Sequence, residues 1–305
     1  MDKIQIDILN KIAGLTDVPA EGAYNIRING KSAGFKSTEN VTISFKENGK
    51  GINIHVKPGT REQIHIPVVV SAEAHEEVVY NDFFIGENAD ISIVAGCGIH
   101  NSCSETSRHD GIHSFYVGRN SRVKYVEKHY GDGDGNGKRI LNPVTDVFLE
   151  AGSQMDIETL QIKGVDSTKR ITCGDLKDNT TLIVNEKLMT HGEQFAETEF
   201  VVNLNGANSG THVTSRSVAK GNSKQVFLSK INGNNSCTGH SECDAIIMDN
   251  ASVKAIPEII ANNVEASLVH EAAIGKIAGE QIIKLMTLGL EEEEAIEQIV
   301  AGFLK

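Results

Sequence analysis

Three features of the sequence predict a mainly β fold, a parallel β-solenoid preceded by a short helix and closed by a helical hairpin. Apolar residues alternate at period two over most of the chain, a short corner motif recurs between the alternating stretches, and helical spacing takes over after Ile277. Of 305 residues, 39% are hydrophobic and 23% charged, which is enough apolar material for a core and too much for a disordered chain.

The elements follow in order. Ile4, Ile8, Leu9 and Ile12 stand at helical spacing and predict a short amphipathic helix. Period-two strands begin with Val41, Ile43 and Phe45, continue with Ile52, Ile54 and Val56, then Ile64, Ile66 and Val68, with Gly49 and Gly59 at the breaks. Beyond Val78 the corner recurs, as in Phe84-Ile85-Gly86-Glu87-Asn88-Ala89, Tyr116-Val117-Gly118-Arg119-Asn120-Ser121 and Phe148-Leu149-Glu150-Ala151-Gly152-Ser153. It returns at Val218–Ser223 and Ile247–Ser252. Ile85, Val117, Leu149, Leu176, Leu204, Val218, Ile231, Met248 and Ile260 are read as equivalent, about a half-turn or a full turn of a coil apart. A strand that turns a corner and pairs one coil later buries its inward residues in a stacked core. A β-sandwich is the alternative, but two-residue hairpin turns are scarce between these strands. Ile282, Leu285, Met286 and Leu288 form one helical face, Gly289 ends it, and Ile296, Ile299, Val300, Phe303 and Leu304 form the next. Glu291 to Glu294 read as a solvated first turn of that last helix. The hairpin is expected either to cap the solenoid or to offer its apolar face to another protein. The organisation is therefore residues 1–80 as helix and β segment, 81–276 as solenoid core and 277–305 as helical hairpin.

With Lys+Arg 29 against Asp+Glu 41 the net charge is -12, which repels nucleic-acid phosphates and anionic lipid. No apolar run approaches the ~20 residues of a membrane span, and Met1 to Thr16 alternates where a secretory signal needs an unbroken apolar stretch, so a cytoplasmic protein is expected. Cys97, Cys103, Cys173, Cys237 and Cys243 are an odd number without an export signal, which favours reduced thiols over a disulfide framework.

Several familiar motifs fail. Asp132-Gly133-Asp134-Gly135-Asn136-Gly137 opens like a calcium loop but has Pro143 where the closing Glu belongs, and it reads as a flexible surface loop. Gly137-Lys138-Arg139 lacks the rest of a phosphate loop, His270-Glu271-Ala272-Ala273-Ile274 lacks the second His of a zinc peptidase, and no Gly-x-Ser-x-Gly elbow occurs. Two stretches concentrate soft ligands: Cys97, His100, Cys103, His109 and His113, and the Cys-x-x-His-x-x-Cys run of Cys237, His240 and Cys243. Thiolate and imidazole suit zinc, copper(I) or iron–sulfur chemistry. In a strand, however, positions three apart face opposite ways, so the second run converges only if it leaves the strand. Cys173 reads as a small buried hydrophobe, and His55, His65, His75, His129, His191 and His212 as surface or hydrogen-bonded residues. Cys243 stands one coil before His270-Glu271, so stacking brings thiol, imidazole and carboxylate near one another.

The C-terminal third resembles the SufB/SufD family of iron–sulfur cluster assembly scaffolds. The resemblance rests on Cys243-Asp244-Ala245-Ile246-Ile247-Met248-Asp249, Ile256-Pro257-Glu258-Ile259, His270-Glu271-Ala272-Ala273-Ile274-Gly275-Lys276-Ile277, and the stretch from Glu280-Gln281 to Gly302-Phe303. It is dense from about Val218, and weaker back to about Phe83, where Gly96-Cys97 and Ile112-His113-Ser114 look like family positions. The resemblance implies a right-handed parallel β-helix, C-terminal helices that dock the SufC ABC ATPase, dimerisation through the β-helix, and a nascent [2Fe–2S] or [4Fe–4S] cluster near the dimer interface. It implies Cys243 as a SufB-like cluster cysteine, Glu271 as a SufB-like carboxylate and His270 at the place of a SufD-type histidine. A homodimer would then supply both halves of the site. The sequence departs from the larger SufB proteins at Asn250–Ile256, in the absence of their long N-terminal region, and in the ligand-rich Cys97–His113 segment. That segment is expected to accept sulfur or bind an auxiliary metal.

The expected function is a non-enzymatic scaffold that assembles a transient cluster and transfers it to recipient apoproteins, with ATP hydrolysed by the partner. The alternatives are a zinc-stabilised interaction protein using Cys237, His240 and Cys243, and a β-helix carbohydrate-active enzyme. The latter is weakened by the absence of Trp and by 5% aromatics.

Overall fold

The computed structural model describes residues 1–305. Helix α1 (Lys3–Ala13) is followed by β1 (Ala23–Ile28), β2 (Lys31–Lys36), β3 (Val41–Phe45), β4 (Gly51–Val56), β5 (Arg61–Val70), β6 (Glu76–Ile85) and β7 (Asp90–His100). Then come β8 (Ser107–Val117), β9 (Arg122–Asp132), β10 (Arg139–Leu141), β11 (Val144–Leu149), β12 (Gln154–Lys163), β13 (Ser167–Leu176) and β14 (Thr181–Thr190). The chain ends with β15 (Phe195–Leu204), β16 (Ser209–Ala219), β17 (Lys224–Gly233), β18 (Cys237–Ile247), β19 (Ser252–Ala261), β20 (Ser267–Gly275), α2 (Gly279–Thr287) and α3 (Glu292–Phe303).

From β4 onward the chain alternates between two ten-stranded sheets, with β10 and β11 sharing one rung of the second, and from β5 onward each strand pairs in parallel with the one a coil earlier, giving a parallel β-solenoid of about eight turns. Parallel pairing at full-coil spacing excludes the sandwich. The only antiparallel pairs are β1 with β2 and β3 with β4, which cover the edges at the N-terminal end. α1 lies across the first sheet and buries Ile8, Leu9 and Ile12 against Ile26 and Val69. Its close approach requires glycine beneath it, since a Cβ at Gly98 would fall 2.1 Å from Ile8 Cγ2.

The register sharpens the repeat. Ile85, Val117, Leu149, Leu176 and Leu204 form one in-register column of the second sheet. Val218 and Met248 belong instead to the other corner of the coil, where Gly221 and Asp249 align, because each coil turns twice. At the first corner Asn88, Asn120, Asn179 and Asn208 take positive φ of 56° to 58°, the left-handed region in which Asn is the least strained residue after Gly. The next residue is small and buried, and after Asn120 its hydroxyl closes the corner: Ser121 Oγ donates to the Gly86 carbonyl (2.7 Å) and accepts from the Ala89 amide (3.1 Å).

The C-terminal end is open. β19 and β20 have free edges, and the inward-facing Ile259 and Ile274 of the last coil are 39% and 38% exposed. The hairpin of α2 and α3 does not cover them. The chain terminus lies instead on the outer surface, where Lys187 Nζ donates to the Lys305 carbonyl (2.6 Å). Ile283, Met286 and Leu288 of the α2 region project into solvent. No helix is long and apolar enough to cross a membrane.

Candidate functional site at the open end of the solenoid

Inward-facing side chains of the first sheet stack in columns set by the parallel register. Ala95, Glu127, Thr159, Glu186, Ser215, Cys243 and Ala272 form one column, and Tyr125, Ile157, Val184, Val213, Ser241 and His270 form its neighbour. Cys243 and His270 therefore share the inner face on adjacent strands, offset by two residues. Cys243 is buried beside Phe227 and Ile231 at the last fully packed coil. Burial, with the Glu186 and Asp244 carboxylates adding to it, pushes its thiol up to about 12. The His270 Nδ1 lies 3.2 Å from Ser241 Oγ, which in turn donates to Ser229 Oγ at 2.7 Å. Its Nε2 is enclosed without a hydrogen-bond partner. Burial and the neighbouring His240 ring hold the His270 imidazole below its usual range.

Glu271 faces the other way. It alternates with His270 along β20 and emerges on the outer face, 66% exposed, with an oxygen 3.9 Å from His240 Nε2. His240 packs edge-on against His212 at 4.7 Å between ring centroids, and the three line an outer groove of about 550 Å³. The structure thus brings Cys243 and His270 to one side of the sheet and places Glu271 on the opposite side of the same edge strand.

The other stretches do not converge. Cys237, His240 and Cys243 stay extended in β18, with both thiols inward and the imidazole outward, so the run forms no closed zinc site. Within the first segment Cys97 points inward among Val68, Val70, Ile99 and Leu141, while His109 and His113 line the inner face of the second sheet. His100 ends β7 facing away from the core, and Cys103 lies in the loop after it. No three His, Cys, Asp or Glu side chains of one chain gather closely enough to enclose a metal ion.

Between these regions lies a buried polar network that the sequence reading assigned no role. Arg170 is ion-paired to Glu127 and lies 4.0 Å from Glu186, with His129 alongside. Glu186 accepts from Ser215 Oγ at 2.6 Å. Burial would raise the Glu127 carboxyl, but Arg170 and His129 outweigh it and hold it well below the usual range. Glu186 has the weaker partners, and burial lifts it instead. A signal was present: period-two alternation puts Glu127 in phase with Val123 and Tyr125, and Glu186 in phase with Leu182 and Val184.

The profile of the SUF system FeS cluster assembly SufBD core domain matches residues 69–303. The chain belongs to the SufBD family. This SufBD protein is 29% identical over 275 residues to an iron–sulfur cluster assembly SufBD family protein of Methanocaldococcus jannaschii, covering 87% of this chain and 85% of that one. A SufBD family protein of Pyrococcus horikoshii is 28% identical over 298 residues, covering 97% and 84%. One from Archaeoglobus fulgidus is 28% identical over 262 residues, covering 85% and 69%. Membership ties the SufBD protein to iron–sulfur cluster assembly. The match reaches back to residue 69, well before the C-terminal third where the resemblance is densest.

Proposed function

We propose that in cluster assembly this SufBD protein is a non-enzymatic scaffold, on which an iron–sulfur cluster, [2Fe–2S] or [4Fe–4S], is assembled and from which it passes to recipient apoproteins. In this reading it works as a homodimer with a SufC-type ABC ATPase docked on α2 and α3. The observation that carries the proposal is the uncapped last coil, where a buried thiol and an imidazole share the inner face and a carboxylate leaves the outer face of the same free edge. A cluster seated over the β20 edge meets His270 from one face and Glu271 from the other, and Cys243 anchors it from one strand behind. The mate's edge supplies the remaining ligands. Thiolate binds iron strongly, whereas carboxylate and imidazole exchange more readily, which suits a cargo that must leave. Because the Cys243 thiol is held up near about 12, iron has to displace its proton, so loading is favoured by rising pH. The exposed Ile283, Met286 and Leu288 supply the apolar anchors for the ATPase.

Anaerobic reconstitution of the full chain with ferrous iron and sulfide is the direct test. The expected product is brown, with visible absorbance that falls by more than half in Cys243→Ser and in His270→Ala. Undiminished cluster in both variants, or one zinc per chain without sulfide uptake, would overturn the proposal. Ile283→Asp with Leu288→Asp is expected to abolish co-purification with the ATPase while leaving the circular dichroism of the solenoid unchanged.

A further inference from the structure

Near the N-terminal end of the solenoid, three side chains outside the cluster site form a line of hydrogen bonds. Ser102 Oγ is 2.8 Å from His100 Nε2, and His100 Nδ1 is 2.6 Å from Asp132 Oδ1. An ionised carboxylate only accepts, so Nδ1 carries the ring proton, and Nε2 presents a lone pair to which the Ser102 hydroxyl donates. Asp132 is fixed from behind: Tyr130 Oη donates to its second oxygen at 3.1 Å, and Lys11 Nζ lies 3.8 Å from that oxygen. Lys11 also donates to Tyr130 Oη at 2.8 Å, which joins α1 to the same relay.

The loop that carries Ser102 is clamped rather than free. The Gly135 amide donates to the Asn101 carbonyl (3.1 Å), Gly137 to the Cys103 carbonyl (2.9 Å), and the Cys103 amide to Asn101 Oδ1 (3.0 Å). A Cβ at Gly135 would stand 2.3 Å from the Cys103 carbonyl oxygen. The glycine-rich stretch that reads in sequence as a flexible loop is therefore pressed backbone to backbone against the Asn101–Glu105 turn. Ser102 is left exposed, while His100 and Asp132 are 20% and 27% exposed. Asp132, with Gly133 and Asn136, also lines a groove of about 700 Å³, whose walls include neither Ser102 nor His100.

We propose that Ser102, His100 and Asp132 form an acyl-transfer site that hydrolyses small, unhindered esters or thioesters. Ser102 Oγ attacks the acyl carbon as its proton passes to His100 Nε2, and the carbonyl electron pair moves onto oxygen. The Ser102 amide, which donates to no acceptor within the chain, is left free to donate to that oxyanion. Collapse expels the alcohol or thiol, which takes the proton from His100, and leaves an acyl-Ser102 ester. Water then attacks this ester, giving up its proton to His100, and the acid departs as Ser102 recovers its hydrogen. Asp132 is a positioning residue that holds the tautomer and steadies the imidazolium.

The test uses the intact chain with a fluorophosphonate probe, followed by peptide mapping and p-nitrophenyl acetate turnover. The expected result is one adduct per chain on Ser102, absent in Ser102→Ala and slowed at least ~100-fold in His100→Gln. Asp132→Asn is expected to lower kcat by ~1000-fold with KM within about twofold, a split that a purely structural role would not give. His100→Gln and Asp132→Asn keep side-chain shape, and a melting midpoint like the parent's separates lost chemistry from lost folding. No adduct on Ser102, labelling at the parental rate in His100→Gln, or turnover that survives Ser102→Ala and dies in Cys103→Ser would each overturn the assignment.

Discussion

His113 sits inside the solenoid, stacked 5.9 Å from Phe83 and tilted against Tyr125. Burial pushes its imidazole down to about 4, and the Glu127 carboxylate only partly opposes this. The folded ring is therefore neutral where the unfolded ring, near 6.5, begins to charge. Stability is expected to fall as pH drops from about 6.5 to about 4, by about 3 kcal/mol for this residue. His113→Phe should flatten that slope in urea titrations at pH 7, 5.5 and 4, and an unchanged slope would count against the account. Glu77 has the opposite sign. Burial raises it, but hydrogen bonds with His109 and Arg27 outweigh burial and bring it down to about 2. Its contribution is present above about 4.5 and lost as pH falls toward 2. Glu77→Gln is expected to cost about 2 kcal/mol at pH 7 and to converge with the parent near pH 2. Cys243, held near about 12 and 1% exposed, should be among the last thiols alkylated by iodoacetamide at pH 7, well after Cys103 on its loop. Quantitative mass spectrometry of the modified peptides reads that order.

Corners are the elements on which the coil depends. At Asn120 the backbone has φ 56°, and Ser121 behind it satisfies two backbone groups of the preceding coil. Asn120→Gly is expected to change stability by no more than a few tenths of a kcal/mol, and Asn120→Val to cost about 2 kcal/mol, because a β-branched residue is strained in that region. Ser121→Ala leaves a buried carbonyl and amide short of partners and is expected to cost about 1–3 kcal/mol. Thermal melts of the three variants give the ranking, and an Asn120→Val variant as stable as Asn120→Gly would refute the strain argument. On the outer face His55, Phe84, Tyr116 and Phe148 stack at 4.6 to 5.2 Å with nearly parallel rings. Their faces are spent on one another and their edges meet solvent, which removes the flat platform that a sugar-binding groove needs.

At the scale of the molecule, the two ends differ. Antiparallel pairs close the N-terminal end, whereas the C-terminal coil ends in two unpaired edges with its inward-facing apolar residues left uncovered, a surface that invites pairing. Ile259→Lys combined with Ile274→Lys is expected to convert a dimer into a monomer in size-exclusion chromatography with light scattering. A parent chain that is monomeric at micromolar concentration would remove the homodimer from the functional proposal.

The period-two pattern, the Asn and Gly corners and the terminal helical spacing were legible because each is local: side-chain alternation and positive φ depend on neighbours in the chain. Cys243, His270 and Glu271 were nominated by resemblance, and their one-coil spacing was readable as well. Their facing was decided by parity within the register, which turns Glu271 outward from His270 and splits the Cys237, His240 and Cys243 run. The Glu127–Arg170–Glu186 network, and the link from His100 and Ser102 to Asp132, join residues one coil or more apart. Sequence alone determined which residues lie on a strand and at a corner. Only the stacking of coils decided which of them meet, because contact between distant segments follows from the lateral register of the parallel sheets.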